Sequence, residues 1–552
     1  MGGLAAPRRG EQGGYGLQQS RSEGFVRGAL LITAGSLISR ILGVFYRPVA
    51  QIPLGEDGLA LVSPPNAPYM LILAVSSTGL NVAVSRLVSQ RLAVGDLRGA
   101  RRVVRLSATV LGVLGLIFSV LFALAAPWMA RVQGFPEATP GFLALAPAIL
   151  MVTLEVSLRG LYQGMQQMRP AAMTMVIEQV GRVVVGLTGV FLLTPIALNL
   201  GAAAFNAGNT VGVFLGLVYV AYIYLRDRPM RDWTTVAPGV ESWEKMSTWR
   251  LMREILAIAM PLSFLGAVLP LTQLADTALI TNRLIAAGTD VAEAKRALSY
   301  ITNATQLRDL PIIFAQALYV SLIPAISESM ALGREEQARH RAAAAMRLTW
   351  LIGLPATIGL VAAARDAYGV LFTGPGWYVM APLGWSTIFL MLQQTSSGIL
   401  QGLGLIWLSV WNQLLGVVVK IVLTWWWTGM PALGASGAAW ATTVGFLLSA
   451  GLNLWVLRRR FGLGIGVRTN ILRPLAASAV MAAALLWISP LLRSAIGWAR
   501  LSGVAVIAVG ILVYGAALLV LGGIRRADLE LVPGVPPAVI DRLRRLRLLR
   551  DS

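Results

Sequence analysis

Cysteine is absent from the 552 residues, and there is one histidine, His340. Without thiols the chain forms no disulfide, thiolate metal centre or redox dithiol, and a lone imidazole leaves hydrolytic triads and zinc sites without their usual side chains. Enzymatic function is therefore not expected, nor a metal or cofactor beyond coupling to membrane potential or to a monovalent cation. Charge is scarce as well. Only 13% of the residues are Asp, Glu, Lys or Arg, where an ordinary soluble domain carries roughly a quarter. With 56% hydrophobic residues and a mean hydropathy of +0.69, too little polar side chain remains to coat a chain of this length in water. Acid is the rarer sign: 25 Asp plus Glu against 46 Lys plus Arg give a formal charge of +21. In a soluble protein that excess points to nucleic acid. Here the cations are dispersed over loops between apolar runs, which excludes that partner and leaves anionic membrane lipids.

What is present is a series of apolar runs. A helix needs about 20 mainly apolar residues to cross roughly 30 Å of hydrocarbon, and fourteen such runs are expected. They lie near 26 to 48, 66 to 88, 103 to 127, 140 to 162, 171 to 194, 200 to 225, 255 to 283, 297 to 325, 344 to 364, 378 to 402, 405 to 428, 433 to 457, 471 to 491 and 500 to 523. An even number puts both termini on one side. With that side cytoplasmic, about 34 of the cations fall in inner segments and about 7 in outer ones, as the retention of positive charge inside requires. The segment 86 to 105 alone carries Arg86, Arg91, Arg98, Arg101, Arg102 and Arg105. A plasma-membrane protein with both termini cytoplasmic is the expectation. Residues 1–24, with seven glycines and no apolar core, read as a disordered cytoplasmic tail. The tail 524–552, with Arg542, Arg544, Arg545, Arg547 and Arg550 among leucines, reads either as a basic amphipathic helix on the inner leaflet or as a solvated tail.

The runs are duplicated. The segment starting at Asn199 aligns without gaps on that starting at Ala432, bringing Gly201 onto Gly434 and Gly212 onto Gly445. Ala83 onward echoes Ala325 onward, and Gln163-Gly164 echoes Gln401-Gly402. Six spans per copy means corresponding spans start on the same side, so the copies are parallel. The expected fold is an all-α polytopic membrane protein: a six-helix lobe over 25–225, a charged cytoplasmic linker over 226–254, a second six-helix lobe over 255–458 and two extra helices over 470–523. Two such lobes around a central cavity are a transporter architecture.

An ionisable side chain at mid-bilayer costs about 2.5 to 3.5 kcal/mol on insertion scales, so it normally faces a cavity or a partner. Five cations within spans qualify: Arg40, Arg47, Arg182, Arg308 and Lys420. Glu178 lies four residues before Arg182, a spacing at which the two can neutralise one another. Glu155 and Arg159 repeat that spacing as a structural or gating pair, near Gln163. Asp309 follows Arg308, but adjacent helical residues diverge by about 100°, so full cancellation is not expected. Arg40 and Arg47 are seven apart, on one face and about 10 Å apart along the axis, a spacing that suits a diphosphate held by two guanidinium forks. For Arg47 the competing reading is a side chain reaching the outer interface. Asp276 reads as a counter-charge, a cation site or a helix–helix contact, and Lys420 either faces the cavity or pairs with Asp276 across the lobes. Trp425, Trp426 and Trp427 read as an interfacial belt.

Four stretches resemble a known branch: SRILGVFYR from Ser39, PYMLILAVSSTGLNVAVSRLVSQRLAVGD from Pro68, RGLYQGMQQMRPAAMTMVIEQVGRV from Arg159 and PLSFLGAVLPLTQLADTALI from Pro261. They are similar to the stage V sporulation protein B and MurJ-type branch of the multidrug/oligosaccharidyl-lipid/polysaccharide exporter superfamily, over roughly 25 to 525. The resemblance implies fourteen spans in two lobes and the flipping of lipid-linked cell-wall precursors, notably lipid II, from the inner to the outer leaflet. It implies needed cavity arginines on span one and near the start of span eight. Arg40 matches the first, and Arg47 falls one residue after the second. Pro48 replaces an aspartate, and Gln306 stands at the span-eight arginine position with Arg308 two residues on. A flippase for an undecaprenyl-pyrophosphate-linked saccharide is thus expected, with Arg40, Arg47, Arg308, Asp276 and Lys420 as substrate-binding candidates and wall-synthesis enzymes as further partners. The alternatives are an exporter of teichoic-acid or capsule units, a cation-coupled drug exporter, and a non-transporting scaffold for wall synthesis.

Overall fold

The computed structural model describes residues 12–463 and 467–523, and side chains throughout these except those of 12–41, 78, 265, 320 and 467–469. Sixteen α-helices follow one another: α1 Gln12–Leu73, α2 Gly79–Ala93, α3 Leu97–Val132, α4 Thr139–Gly164, α5 Met168–Leu193, α6 Leu198–Asp227, α7 Thr248–Ala286, α8 Val291–Ala331, α9 Glu335–Ala362, α10 Ala364–Leu371, α11 Trp377–Gly384, α12 Ser386–Gly402, α13 Ile406–Thr428, α14 Gly434–Phe461, α15 Arg473–Ile496 and α16 Ala499–Val520. No strand occurs among the described residues, as expected of a lipid-spanning chain whose backbone polar groups must pair within each segment. The chain is an all-helical membrane protein. Long apolar side chains stay exposed along α3, among them Val113, Leu116, Leu121, Leu124 and Trp128, a face suited to hydrocarbon rather than water.

Among the described residues eleven helices are long and apolar enough to cross a membrane, and twelve when the two parts of α7, bent by 43° around residue 265, are taken as one span. The fourteen runs read from the sequence differ from this number in two places. Spans one and two lie on one continuous helical path, broken at Gly55, whose φ of 63° and ψ of −165° are non-helical, a conformation that costs glycine little. Span ten is divided at Trp385 into α11 and α12, neither long enough alone. Residues 12–24 are helical within α1, where a disordered tail was expected; extending a formed helix costs far less than nucleating one. Residues 1–11 and the basic tail 524–552 lie outside the described residues.

The chain forms two compact units, Met1–Leu274 and Ala275–Ser552. The division falls within α7, beyond the 226–254 linker. That linker is not a free strap. Asp96 caps α3 by accepting from Gly99 N at 2.8 Å and also receives Ser242 Oγ at 2.7 Å and Trp243 N at 2.9 Å, so one buried carboxylate fastens the linker to the start of α3. A Cβ at Gly99 would lie 2.0 Å from that carboxylate, so glycine is required there. Within the first unit α5 packs on α6, α3 on α4, α4 on α6 and α2 on α4; within the second, α13 packs on α14, α9 on α12, α12 on α14 and α8 on α12. The duplication seen in sequence recurs as a duplicated packing scheme. In the second unit α15 and α16 both meet α10 at Asp366, whose carboxylate accepts from Arg493 Nε at 2.6 Å, Arg493 Nη2 at 2.8 Å and Ser489 Oγ at 2.5 Å, all of α15, and whose backbone oxygen lies against Gly503 of α16. At their other ends Arg347 donates to Asn470 Oδ1 and Gly523 O, both at 2.9 Å.

Candidate functional site

The glycines matched by the repeat mark helix crossings. In the first unit a Cβ at Gly164 would come 2.8 Å from that of Val88, and Asn81 Nδ2 donates to Gln163 Oε1 at 3.2 Å. In the second, a Cβ at Gly402 would come 2.8 Å from that of Ile326, and Tyr319 Oη donates to Gln401 Oε1 at 2.8 Å. Gly212 and Gly445 behave alike. Gly212 of α6 lies against Glu178 O and the Arg182 backbone of α5; Gly445 of α14 lies against Gly416 O and Lys420 Cβ of α13. Each unit thus carries one cation, Arg182 or Lys420, beside an equivalent close crossing.

The surroundings of these two cations differ. In the second unit Lys420 Nζ donates to Asp276 Oδ2 at 2.6 Å, with the lysine 6% exposed. The pairing of Asp276 with Lys420 is thus observed, but not across the lobes: both residues belong to the second unit, because α7 carries Asp276 past the division at Leu274. In the first unit, Glu178 and Arg182 do not form the expected pair. Arg159 Nη1 reaches Glu155 Oε1 at 3.0 Å and Glu178 Oε1 at 3.4 Å, so a single guanidinium from α4 takes both acids. A side chain shared between two carboxylates gains more than an isolated pair one turn along a helix, which is worth only about 0.3 to 0.5 kcal/mol. Arg182 is left with no hydrogen bond or ion pair among the described residues, and its Nε is buried without a partner. Around it Gly208 packs against Arg182 O and Tyr46 Oη, Tyr46 Oη donates to Phe205 O at 2.7 Å, and Asn209 Nδ2 donates to Tyr69 Oη at 2.8 Å. Arg182 lies within electrostatic reach of both tyrosines.

Arg47 and Arg308 are internally satisfied. Arg47 is buried, donating to Ser63 Oγ at 3.1 Å and Leu59 O at 3.4 Å, contacts that hold it within the unit and not at an interface. Arg308, 6% exposed, turns back on its neighbour: Nη2 and Nε reach Asp309 Oδ1 at 2.7 and 3.0 Å. The 100° divergence read from the sequence underestimates the reach of a side chain with four rotatable bonds. Arg308 also approaches Ser386 Oγ at 3.5 Å and lies 5.6 Å from the Phe446 ring centroid. The side chain of Arg40 lies outside the described residues. Trp425 and Trp426 are exposed, with Arg283 stacked 4.4 Å over Trp425. Among the described residues no group of three or more His, Cys, Asp or Glu could hold a metal ion. The sequence signal that could have isolated Arg182 was Arg159, which lies at the matching turn of the neighbouring helix in the same motif.

The family model of polysaccharide biosynthesis proteins matches residues 25–330. Stage V sporulation protein B of Bacillus subtilis (strain 168) is 27% identical over 77% of this chain and 82% of its own length. Lipid II flippase MurJ of the same organism is 28% identical over 83% of this chain and 87% of its own. Among solved structures, lipid II flippase MurJ in an inward closed conformation superposes with a TM-score of 0.65 at 15% identity, over 89% of this chain and 98% of that one. An inward-facing multidrug resistance MATE family transporter of the MOP superfamily gives 0.64 at 16% identity, over 77% of this chain and 94% of that one. The fold is therefore that of MurJ and MATE transporters.

Proposed function

The chain belongs to the polysaccharide biosynthesis protein family, and from that premise we propose that it is a flippase carrying an undecaprenyl-pyrophosphate-linked saccharide, lipid II or a related cell-wall precursor, from the inner to the outer leaflet. It is a membrane transporter, not an enzyme. The observation that carries the choice of cargo is Arg182, a guanidinium within a span that makes no ion pair among the described residues and whose Nε is buried without a hydrogen-bond partner. An uncompensated cation in this setting is costly unless an anion visits it, and a pyrophosphate accepts from such a fork bidentately. A cationic drug would meet repulsion at the same place, so the drug-exporter reading is disfavoured although MATE transporters share the fold. Arg40, on the helix that also bears Tyr46, is the second phosphate ligand. Asp276, Lys420 and Arg308 hold the second unit together at rest and exchange partners when the cargo arrives. Glu155, Arg159 and Glu178 form the gating cluster beside Gln163.

In this reading the repeats alternate access by pivoting at the glycine crossings of Gly164 and Gly402, while the prenyl tail remains in lipid. Membrane potential resets the cycle, since moving one charge through 100 mV is worth about 2.3 kcal/mol. Both termini face the cytoplasm of the plasma membrane, and wall-synthesis enzymes receive the product. The test is translocation of fluorescent lipid II in liposomes, with an undecaprenyl-phosphate-linked sugar as competitor and Arg40→Ala and Arg182→Gln as controls. Movement of lipid II that both variants abolish supports the reading. Full activity of both sinks the role given to the arginines, and movement of only the other lipid changes the cargo. Transport that is unchanged when the potential is collapsed removes the proposed driving force.

A further inference from the structure

Among the described residues outside the span interiors, a concentration of positive charge lies at the start of α3. Arg98, Arg101, Arg102 and Arg105 follow the spacing i, i+3, i+4, i+7, so they form one stripe along the first turns of the helix. With Trp233, Thr234 and Glu244 of the linker they line a cavity of about 370 Å³. The stripe is electrostatically unfavourable by itself. A helix N-terminus carries about half a positive charge, and cations one turn apart repel one another.

Two of the four arginines are accounted for. Arg98 Nη1 reaches Glu244 Oε2 at 3.2 Å and its Nε donates to Thr234 O. Arg102 donates to Trp243 O at 3.3 Å, to Glu244 O and to Thr248 Oγ1 at 3.3 Å. These two clamp the linker onto α3. The other two, Arg101 and Arg105, have no hydrogen bond or ion pair among the described residues, and Arg101 Nε is buried with no partner. They stand four residues apart, about 6 Å along the axis, a separation that one phosphate can bridge by accepting from both forks.

We infer that this cavity is a phosphate-binding site, distinct from the proposed transport site, in which Arg101 and Arg105 grip the anion while Arg98 and Arg102 hold the linker as its wall. The favoured ligand is the headgroup of an anionic phospholipid. Helix α3 has 36 residues, about 54 Å of helix against roughly 30 Å of hydrocarbon. Its arginine-bearing end therefore extends beyond the apolar layer to the depth of the headgroups. The linker runs from one repeat to the next, so a lipid seated here also tightens the attachment of that linker to the first unit.

The test uses the full chain in a neutral detergent, with native mass spectrometry reading the binding of short-chain phosphatidylglycerol, phosphatidylcholine of the same chain length, and inorganic pyrophosphate. The double variant R101Q/R105Q is expected to lose at least tenfold in affinity for phosphatidylglycerol. R458Q/R460Q, which removes the same charge from the exposed end of α14, is expected to stay within twofold. Saturable pyrophosphate binding with the same dependence on Arg101 and Arg105, without a preference for phosphatidylglycerol, keeps the site and assigns it to a soluble anion. Equal losses in the two double variants, or phosphatidylcholine bound as tightly as phosphatidylglycerol, overturn the inference, because the cations then act only as a diffuse field. Should R101Q/R105Q fail to fold, R101K/R105K retains the charge without the forks, and wild-type affinity in that variant overturns the bidentate grip.

Discussion

Two cations at equivalent crossings, Arg182 in the first unit and Lys420 in the second, sit in opposite electrostatic circumstances. Lys420 is neutralised by Asp276 at 2.6 Å. Arg182 has its neighbouring acid, Glu178, taken by Arg159 of another helix. The second unit places Gly416 where the first has Glu178, and its acid comes instead from α7. A duplicated scaffold has therefore kept the position of a positive charge while changing whether the protein itself balances it. In the proposed function the first unit, whose cation has no ion-pair partner among the described residues, receives the anion, and the second, whose cation is paired, is built for stability.

The largest expected effect breaks the balanced side. Lys420→Met leaves Asp276 partly buried without its partner and should lower stability by about 3 kcal/mol, read as a shift of the denaturation midpoint in detergent. Adding Asp276→Asn should restore most of the loss, and a double variant as unstable as the single one would show that the pair is not what holds α7 to α13. Next in size is Arg182→Gln. It should cost about 2 to 3 kcal/mol of cargo binding, the worth of hydrogen bonds to a charged group, and so reduce flipping by roughly 30- to 160-fold. Stability should hardly change, because no internal partner is lost; a large fall in the midpoint with cargo affinity intact would assign Arg182 a structural role.

The two crossings themselves can be compared. A Cβ at Gly212 would lie 2.3 Å from Glu178 O, and one at Gly445 would lie 2.8 Å from Gly416 O. Overpacking of this kind costs about 1 to 3 kcal/mol, so Gly212→Ala should destabilise more than Gly445→Ala in the same midpoint assay, and the reverse order would mean the first crossing is the more yielding. The smallest effect belongs to Glu178→Gln. Arg159 keeps Glu155 at 3.0 Å, so the loss should be about 0.5 to 1 kcal/mol. The amide at 178 leaves the gating cluster joined through Glu155, so flipping should be nearly unchanged, whereas a transport defect as deep as that of Arg182→Gln would mean that the gate depends on Glu178 rather than on Glu155.

Much of the fold was legible from the residues. Apolar run length determines which segments become helices in lipid, and the matched glycines at 164 and 402, and at 212 and 445, recur as close crossings in both units. The path from span one to span two was less legible, since the break at Gly55 interrupts a helix that otherwise continues through Pro48, Pro53, Pro64, Pro65 and Pro68. Span ten was read as one run although Gly and polar residues interrupt its hydropathy, and the backbone divides at Trp385. At the site, the pairs Glu155–Arg159 and Asp276–Lys420 were anticipated. One pairing was misjudged: Glu178 goes to Arg159 and not to Arg182.

That misjudgement has a physical cause. Spacing along one helix says which side chains can meet, but the choice among several possible partners depends on what the neighbouring helix brings to the same level. The sequence by itself determined the membrane setting, the helical class, the duplication and the positions of the rare charges, because each follows from composition or from period along one chain. Only the tertiary structure decided which charges cancel, since the distances that select Arg159 for Glu178 and Asp276 for Lys420 run between helices and are set by how closely the glycine crossings let them approach.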